Sequence, residues 1–414
     1  MFKKVSGTKD ILPEEVIYWQ EIEETSRKVF SLFNYKEIRP PVIEDAALFN
    51  RSLGEFTEIV QKQMFLIKNQ EELYAMRPEG TAAIVRAYIE NSFDKTAVFQ
   101  KLYYMGPMFR LERPQKGRLR QFHHIGCEVI GSGDPGIDVE IISLADKLLS
   151  LYGISGYEIK INSLGCLNDK KNLVKILNEE LKNKLGQLCQ ECNERYKHNV
   201  LRILDCKNDS CQQALKNLGI RDKHLCSECA GHFNQVKSGL DTLKIKYEVS
   251  PHLVRGLDYY TRTVFEIKHG GLGAQDAIGA GGRYDNLVKE LGGPDTGAIG
   301  FAFGVERILL AAGNRQQAAG NKIVYIIPLG NEAKEEGLKL LNQLRDAGIP
   351  ADTDYEGKSL KGAMRSANSQ NAQFSVIIGE NELKNNTIML KDMETGDQIE
   401  LPKNKFIEEI KKRC

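Results

Sequence analysis

The chain has almost no net charge, with 57 basic against 56 acidic residues over 414 positions. A general nucleic-acid coat, which binds through a positive field over its whole surface, is therefore excluded. A local basic groove is not, and a groove is enough for phosphate contacts to an RNA. Long apolar runs are missing as well. A membrane helix needs roughly 20 apolar residues, and the most apolar stretch, Ile299 to Ala312, has Glu306 and Arg307 in its middle. The N-terminus, Met1 to Gly7, has no apolar stretch after Lys3 and Lys4, which reads as no secretory signal. The expectation is a soluble cytoplasmic chain with no membrane association. In that setting nine cysteines suggest thiols or metal ligands before disulfides. Neither a Walker-type phosphate loop nor a dinucleotide-binding glycine fingerprint occurs. Internal repeats and low-complexity tracts are absent.

What is there reads as alternating elements. Pro13 to Phe33 has Ile22, Val29, Phe30 and Phe33 on one face, the pattern of an amphipathic helix. Glu37 to Ile43 reads as a strand that Pro40 and Pro41 confine to an edge or a bend. Phe65–Ile67 and Leu73–Met76 predict a hairpin, and Thr81 to Ile89 a helix. Leu102 to Gly131 predicts strand, basic loop, strand; Asp138 to Tyr152 a helix; Tyr157 to Asn162 a strand. From 166 to 245 polar helices alternate with cysteine pairs, the mark of an insertion between a first part (1–165) and a second part (246–318) of one domain. Strand signals resume over Leu253–Thr261, Thr263–Lys268, Gly279–Asp285 and Gly300–Leu310, the last running into a helix. Ala311 to Lys322 reads as a linker. Residues 322–414 alternate strands and helices with short loops, a small sheet covered by helices.

The chemistry concentrates in a few places. Arg110, Arg113, Arg118 and Arg120 fall close together on the basic loop, with Glu112 and Glu128 among the flanking residues. Planar guanidinium forks bind phosphate oxygens in pairs. An isolated basic loop is usually a solvated face, but charge beside apolar strands is costly unless it is paired or used. Any ATP bound here would be held by arginines in place of a helix N-terminus. In Arg77-Pro78-Glu79-Gly80-Thr81 the carboxylate could take a substrate ammonium, and Thr81 could cap the next helix. Arg255-Gly256-Leu257-Asp258-Tyr259-Tyr260 and Gly281-Gly282-Arg283-Tyr284 put glycine inside strand-like segments. Such glycines mark a bulge or the close approach of a ligand. The tyrosine hydroxyls and an acidic group could hydrogen-bond an imidazole. Arg307 follows the glycine-led turn at Gly304.

These segments together resemble the class II aminoacyl-tRNA synthetases, and among them the histidyl-tRNA synthetase family, over nearly the whole length. Pro41 matches the dimer-interface proline of the first class motif, Phe109-Arg110 through Glu128 is similar to the second, and Gly304 to Arg307 to the third. Leu253–Tyr260 and Gly281–Asp285 resemble the two histidine signatures. The resemblance implies an α+β fold: a catalytic domain with an antiparallel sheet flanked by helices, an inserted mostly helical domain (166–245), and a C-terminal α/β anticodon-binding domain (322–414). It implies L-histidine, ATP with Mg2+, tRNA(His) and a homodimer.

It also implies roles for single residues. Arg110 would grip the α-phosphate and the histidine carboxylate, and Arg255 would be the catalytic arginine. Phe122 would stack on adenine, with Glu112, Arg118 and Arg307 completing the ATP site. Glu79 and Thr81 would hold the α-amino group, helped by His124 and Glu128, while Tyr259, Tyr260 and Tyr284 line the imidazole pocket. Arg113 and Gln115 would face the tRNA acceptor end. The sequence departs from the family pattern at His124, usually glutamine, where a neutral imidazole still offers a hydrogen bond. Cys189, Cys192, Cys226 and Cys229 form two Cys-x-x-Cys pairs with Cys206, Cys211 and His232 nearby. The spacing suits a structural Zn2+ or leaves free thiols. Many family members lack these cysteines, so a metal here would be scaffold and not catalyst. A competing reading is a catalytically inactive regulatory subunit of ATP phosphoribosyltransferase in histidine biosynthesis. Against it stand Arg110, Arg255, Arg307 and the C-terminal α/β pattern.

Overall fold

The computed structural model describes every residue except 1, 56, 98, 116, 217, 219–223, 274–275, 314–321 and 414. Most of the expected linker lies outside the described residues. The chain divides into two compact units, Met1–Asn314 and Arg315–Cys414.

The strands of the first unit are β1 (Lys36–Glu37), β2 (Ile43–Asp45), β3 (Phe65–Asn69), β4 (Glu72–Met76), β5 (Gln100–Phe109), β6 (Gln121–Ile130), β7 (Tyr157–Ser163), β8 (Glu248–Val249), β9 (Thr261–His269), β10 (Ala277–Arg283) and β11 (Ala298–Gly304). Eight of them make one sheet in the order β1-β5-β6-β11-β10-β9-β7-β8. Its six inner strands pair antiparallel. Only the two-residue edge strands β1 and β8 are parallel to their neighbours. The sheet therefore has the antiparallel character expected.

The stretch expected as one strand from Glu37 to Ile43 is two. Pro40 and Pro41 have no N–H to give a ladder, so the chain leaves the large sheet after Glu37. It enters a separate three-stranded sheet, β2-β4-β3, at Ile43. The buried Arg77 closes the gap by donating to the carbonyl oxygens of Pro40 and Pro107, both at 2.9 Å.

Leu253–Tyr260 is not a strand either; β9 begins at Thr261. Side chains satisfy its backbone in place of a ladder. Asn162 Nδ2 donates to the carbonyl of Leu253 at 2.9 Å, and Lys170 Nζ to those of Asp258 and Tyr260 at 2.8 and 3.0 Å. The apolar side chains that suggested a strand face inward from a loop.

Side-chain alternation gives the large sheet two different faces. Ile125, Cys127 and Val129 of β6 and Ile299, Phe301 and Phe303 of β11 share one core cluster with helices Pro13–Leu32, Pro135–Leu151 and Ser227–Thr242. The intervening residues face the other way. Within the expected insertion, helices Leu167–Leu181, Gln190–His198 and Asp209–Lys216 join that second side, where Leu177, Leu188 and Ile203 pack in one cluster with Phe49 and Tyr259. Its last helix, Ser227–Thr242, belongs to the first side through Phe233, Val236 and Leu240.

The second unit is a five-stranded sheet, ordered β13-β12-β14-β15-β16. β12 (Ile323–Pro328), β13 (Ala351–Thr353) and β14 (Ala372–Ile378) run parallel, and β15 (Thr387–Asp392) and β16 (Gln398–Pro402) add an antiparallel hairpin. Val324 and Ile326 enter one core, Tyr325 and Ile327 another, so helices cover both faces as expected. At the hairpin tip the Asp392 carboxylate accepts the N–H groups of Glu394 and Thr395, and Gly396 takes φ +82. The short helix Glu380–Asn385 was not anticipated.

Candidate active site

The second face of the large sheet floors a cavity of about 380 Å3. Its floor is small by composition. β11 presents Gly300, Ala302 and Gly304 to it, while β6 presents Phe122 and His124. Gly300 has a specific reason: a Cβ there would collide with the Glu128 carboxylate.

Four arginines line the cavity. Arg110, at the end of β5, donates to the carbonyl oxygen of Pro78 at 2.9 Å, and its guanidinium lies 5.3 Å from the centre of the Phe122 ring. Arg307 donates to the carbonyls of Gly117 and Ala277 at 3.0 and 2.6 Å. Arg118 pairs with Glu112. Burial pulls the pKa of Arg110 and of Arg307 down, and the mutual repulsion of Arg110, Arg118 and Arg307 pulls the same way. Arg255 also lines the cavity, its Nη1 2.6 Å from Glu266 Oε1 and its buried Nε without a partner.

Tyrosines and carboxyl groups make up much of the remaining polar lining. Tyr259 packs against Tyr260 and Tyr284, with ring centres 4.8 and 5.7 Å apart. Burial raises the pKa of all three and of Tyr104, so all four hydroxyls stay protonated. Glu128 sits just behind the cavity wall, 1% exposed, accepting the hydroxyls of Thr81 (2.7 Å) and Tyr284 (2.6 Å). Burial pushes its pKa up to about 8. Glu79 accepts the N–H groups of Thr81 and Ala82 at 2.6 and 2.9 Å, so Glu79 and not Thr81 caps the helix Thr81–Glu90. Burial raises its pKa as well. His124 is held neutral at about 3, first by burial and then by the charge of Arg110, and its Nδ1 has no partner.

The cavity thus collects Glu79, Thr81, Arg110, Glu112, Arg118, Phe122, His124, Arg255, Tyr259, Tyr260, Tyr284 and Arg307. Glu128 lies behind it, and Arg113 and Gln115 are exposed on the loop beyond it. Arg120 faces elsewhere: its backbone N–H and Nη1 bind the carbonyls of Gly7 and Ser6. Arg283 is fully buried away from the cavity, 2.7 Å from Asp138. Sequence reading missed Tyr104, Asp205, Lys207, Glu266 and Asp276, which also line it. Tyr104 had a signal: both Gly80 and Gly126 are glycines because the Tyr104 ring occupies their Cβ space.

The two Cys-x-x-Cys pairs do not make one metal site. Cys189 and Cys192 gather with Cys206 and Cys211, whereas Cys226 and Cys229 gather with Cys166 and Asp169. Each pair opens a different helix, Gln190–His198 or Ser227–Thr242, and so meets a different neighbour. His232 joins neither, because its Nε2 is engaged with Asp138 at 2.8 Å.

Residues 7–308 match the family described as histidyl-tRNA synthetase, and residues 323–413 match the anticodon binding domain. The chain belongs to the histidyl-tRNA synthetase family. A histidine–tRNA ligase of Natranaerobius thermophilus is 44% identical over 99% of this chain and 98% of its own. One of Thermosipho melanesiensis is 45% identical over 98% of each. The structure of apo S. aureus histidyl-tRNA synthetase superposes with a TM-score of 0.83 at 35% identity, covering 99% of this chain and 100% of that one. Membership fixes the class II fold, with its antiparallel catalytic sheet and a separate C-terminal anticodon-binding domain. No helix among the described residues is long and apolar enough to cross a membrane.

Proposed function

We propose that this chain is an ATP-dependent histidine–tRNA ligase that forms histidyl-adenylate and transfers histidine to the 3′ end of tRNA(His). One observation carries the reading: a cluster of mutually repelling guanidiniums and a nest of neutral tyrosines share a single cavity. The first suits a polyphosphate and the second a small polar ring.

In this reading ATP lies along Arg110, Arg118 and Arg307, with adenine against Phe122. Arg307 stands at the γ-phosphate end. Mg2+ would come with the nucleotide, and among the cavity lining Glu112, Glu266 and Asp276 are carboxylates that would hold it and help neutralise the phosphate charge. The imidazole enters among Tyr259, Tyr260 and Tyr284. Glu128 positions Thr81 and Tyr284, and Glu79 receives the α-ammonium. The histidine carboxylate attacks the α-phosphorus and pyrophosphate leaves. The terminal ribose hydroxyl of the tRNA then attacks the acyl carbon, and AMP leaves with the electron pair. Preorganised charge supplies the catalysis. Arg255, held by Glu266, meets the negative charge that grows at the α-phosphate.

Arg113 and Gln115 face the acceptor end, and residues 322–414 read the anticodon. The working form is a cytoplasmic homodimer, with Pro41 in its interface. Ile43 and Ile67, exposed on one face of the three-stranded sheet that follows it in sequence, support that interface.

The test is histidine-dependent exchange of labelled pyrophosphate into ATP, run beside the other amino acids. Exchange with histidine alone is expected. A folded, histidine-binding chain without exchange would be a regulatory subunit of ATP phosphoribosyltransferase instead.

A further inference from the structure

Four cysteines of the inserted segment converge although they come from separate turns. Cys189 and Cys192 begin the helix Gln190–His198, Cys206 follows the turn Val200–Ile203, and Cys211 lies in the first turn of Asp209–Lys216. Their sulfurs all lie within 4.8 Å of one another. Cys192 and Cys211 are fully buried and Cys206 is 7% exposed. Cys189 Sγ and Cys206 Sγ are 3.9 Å apart. A disulfide needs about 2.05 Å, whereas a tetrahedron with Zn–S bonds of about 2.3 Å puts its sulfurs roughly 3.8 Å apart.

Backbone donors are aimed at the sulfurs. The N–H of Cys189 points at Cys211 Sγ (3.1 Å) and that of Asn208 at Cys206 Sγ (3.5 Å). Such N–H donors to sulfur orient ligands and offset thiolate charge in metal sites. Two helix N-termini face the group and add to that field. The apolar alternative is four thiols packed as small hydrophobic groups. It does not account for N–H groups aimed at two of the four sulfurs.

We propose that Cys189, Cys192, Cys206 and Cys211 bind one structural zinc ion. The ion clips the turn around Cys206, whose neighbours Asp205 and Lys207 both line the cavity. The clip therefore sets part of the cavity wall. The second group is built differently. The Asp169 carboxylate there already accepts the N–H groups of Cys166 and Cys226 at 3.3 and 3.1 Å, so it caps two helices.

The full chain, purified without chelator, is assayed by mass spectrometry for metal per chain. Cys192→Ser and Cys206→Ser should each remove about one zinc from the wild-type content, and Cys226→Ser should leave that zinc in place. Wild type without metal, iron in place of zinc, or a zinc lost only in Cys226→Ser would each overturn the proposal. Wild type in which cobalt replaces zinc covers the case of variants that do not fold. Its absorption should carry the strong charge-transfer band of four thiolates, and a spectrum without thiolate ligation would equally refute the site. None of these readouts depends on the activity proposed above.

Discussion

Glu128 is a carboxyl group that the fold keeps protonated. It is 1% exposed and its pKa is raised to about 8, chiefly by burial. In the unfolded chain it returns to the ordinary 4.5. Between these two values the folded state holds the proton and the unfolded state does not. Fewer protons on the unfolded side mean that stability falls as pH rises through this window. That is opposite in sign to a salt-bridged carboxylate. One pH unit corresponds to about 1.4 kcal/mol, so the full interval sets an upper bound on the order of 5 kcal/mol.

Glu128→Gln isolates this contribution. Glutamine is the neutral isostere: its amide oxygen accepts one of the Thr81 and Tyr284 hydroxyls, and its NH2 group donates to the other, whose O–H turns away. The assay is denaturant unfolding of wild type and variant across pH. Wild type should lose stability relative to Glu128→Gln by up to about 1.4 kcal/mol per pH unit from 4.5 towards 8, then level off. A difference that stays flat over this range would mean that Glu128 is ionised in the folded protein. The proton accounting would then be wrong.

Arg255→Ala should slow histidine-dependent pyrophosphate exchange by about 100- to 1,000-fold, the loss usual for a transition-state donor, and weaken histidine binding far less. Exchange near wild type would remove Arg255 from the catalytic role. Gly300→Ala drives a methyl group into the Glu128 carboxylate, so the KM for histidine should rise while that for ATP holds; equal rises would place the damage elsewhere. A chain ending before residue 322 should still activate histidine but charge tRNA(His) poorly, and undiminished charging would dissociate the C-terminal unit from tRNA.

The elements legible in the sequence were those whose cause is local. The strand, basic loop and strand expected over Leu102–Gly131 are β5, the loop after it and β6, and the periodicity of Pro13–Phe33 identified the helix Pro13–Leu32. Where the cause lay at a distance, the reading failed. Leu253–Tyr260 has a strand's composition, but Asn162 and Lys170 take its carbonyls. Arg120 resembles its neighbours in the basic loop, yet Ser6 and Gly7 turn it away from the cavity. The two Cys-x-x-Cys pairs look equivalent until the fold gives each a different second pair. Glu266, Asp205 and Lys207 had no local signal, because their part in the cavity depends on what other segments place opposite them.

Near-zero net charge and a polyanion site are reconciled by where the counterions sit. Two of the cavity arginines are already neutralised, Arg118 by Glu112 and Arg255 by Glu266. The bonds of Arg110 and Arg307 go to backbone carbonyls, and neither forms an ion pair among the described residues. A carbonyl orients a guanidinium without cancelling its charge. These two are also the arginines whose pKa is drawn down by burial and repulsion, so the free protein holds them at a cost that an incoming phosphate relieves. Carboxylates placed on all four would have made the empty site more stable and the nucleotide weaker. The lining as a whole carries acidic and basic side chains alike, so what sets Arg110 and Arg307 apart is the absence, among the described residues, of a carboxylate in direct contact, which leaves their guanidiniums open to an incoming phosphate.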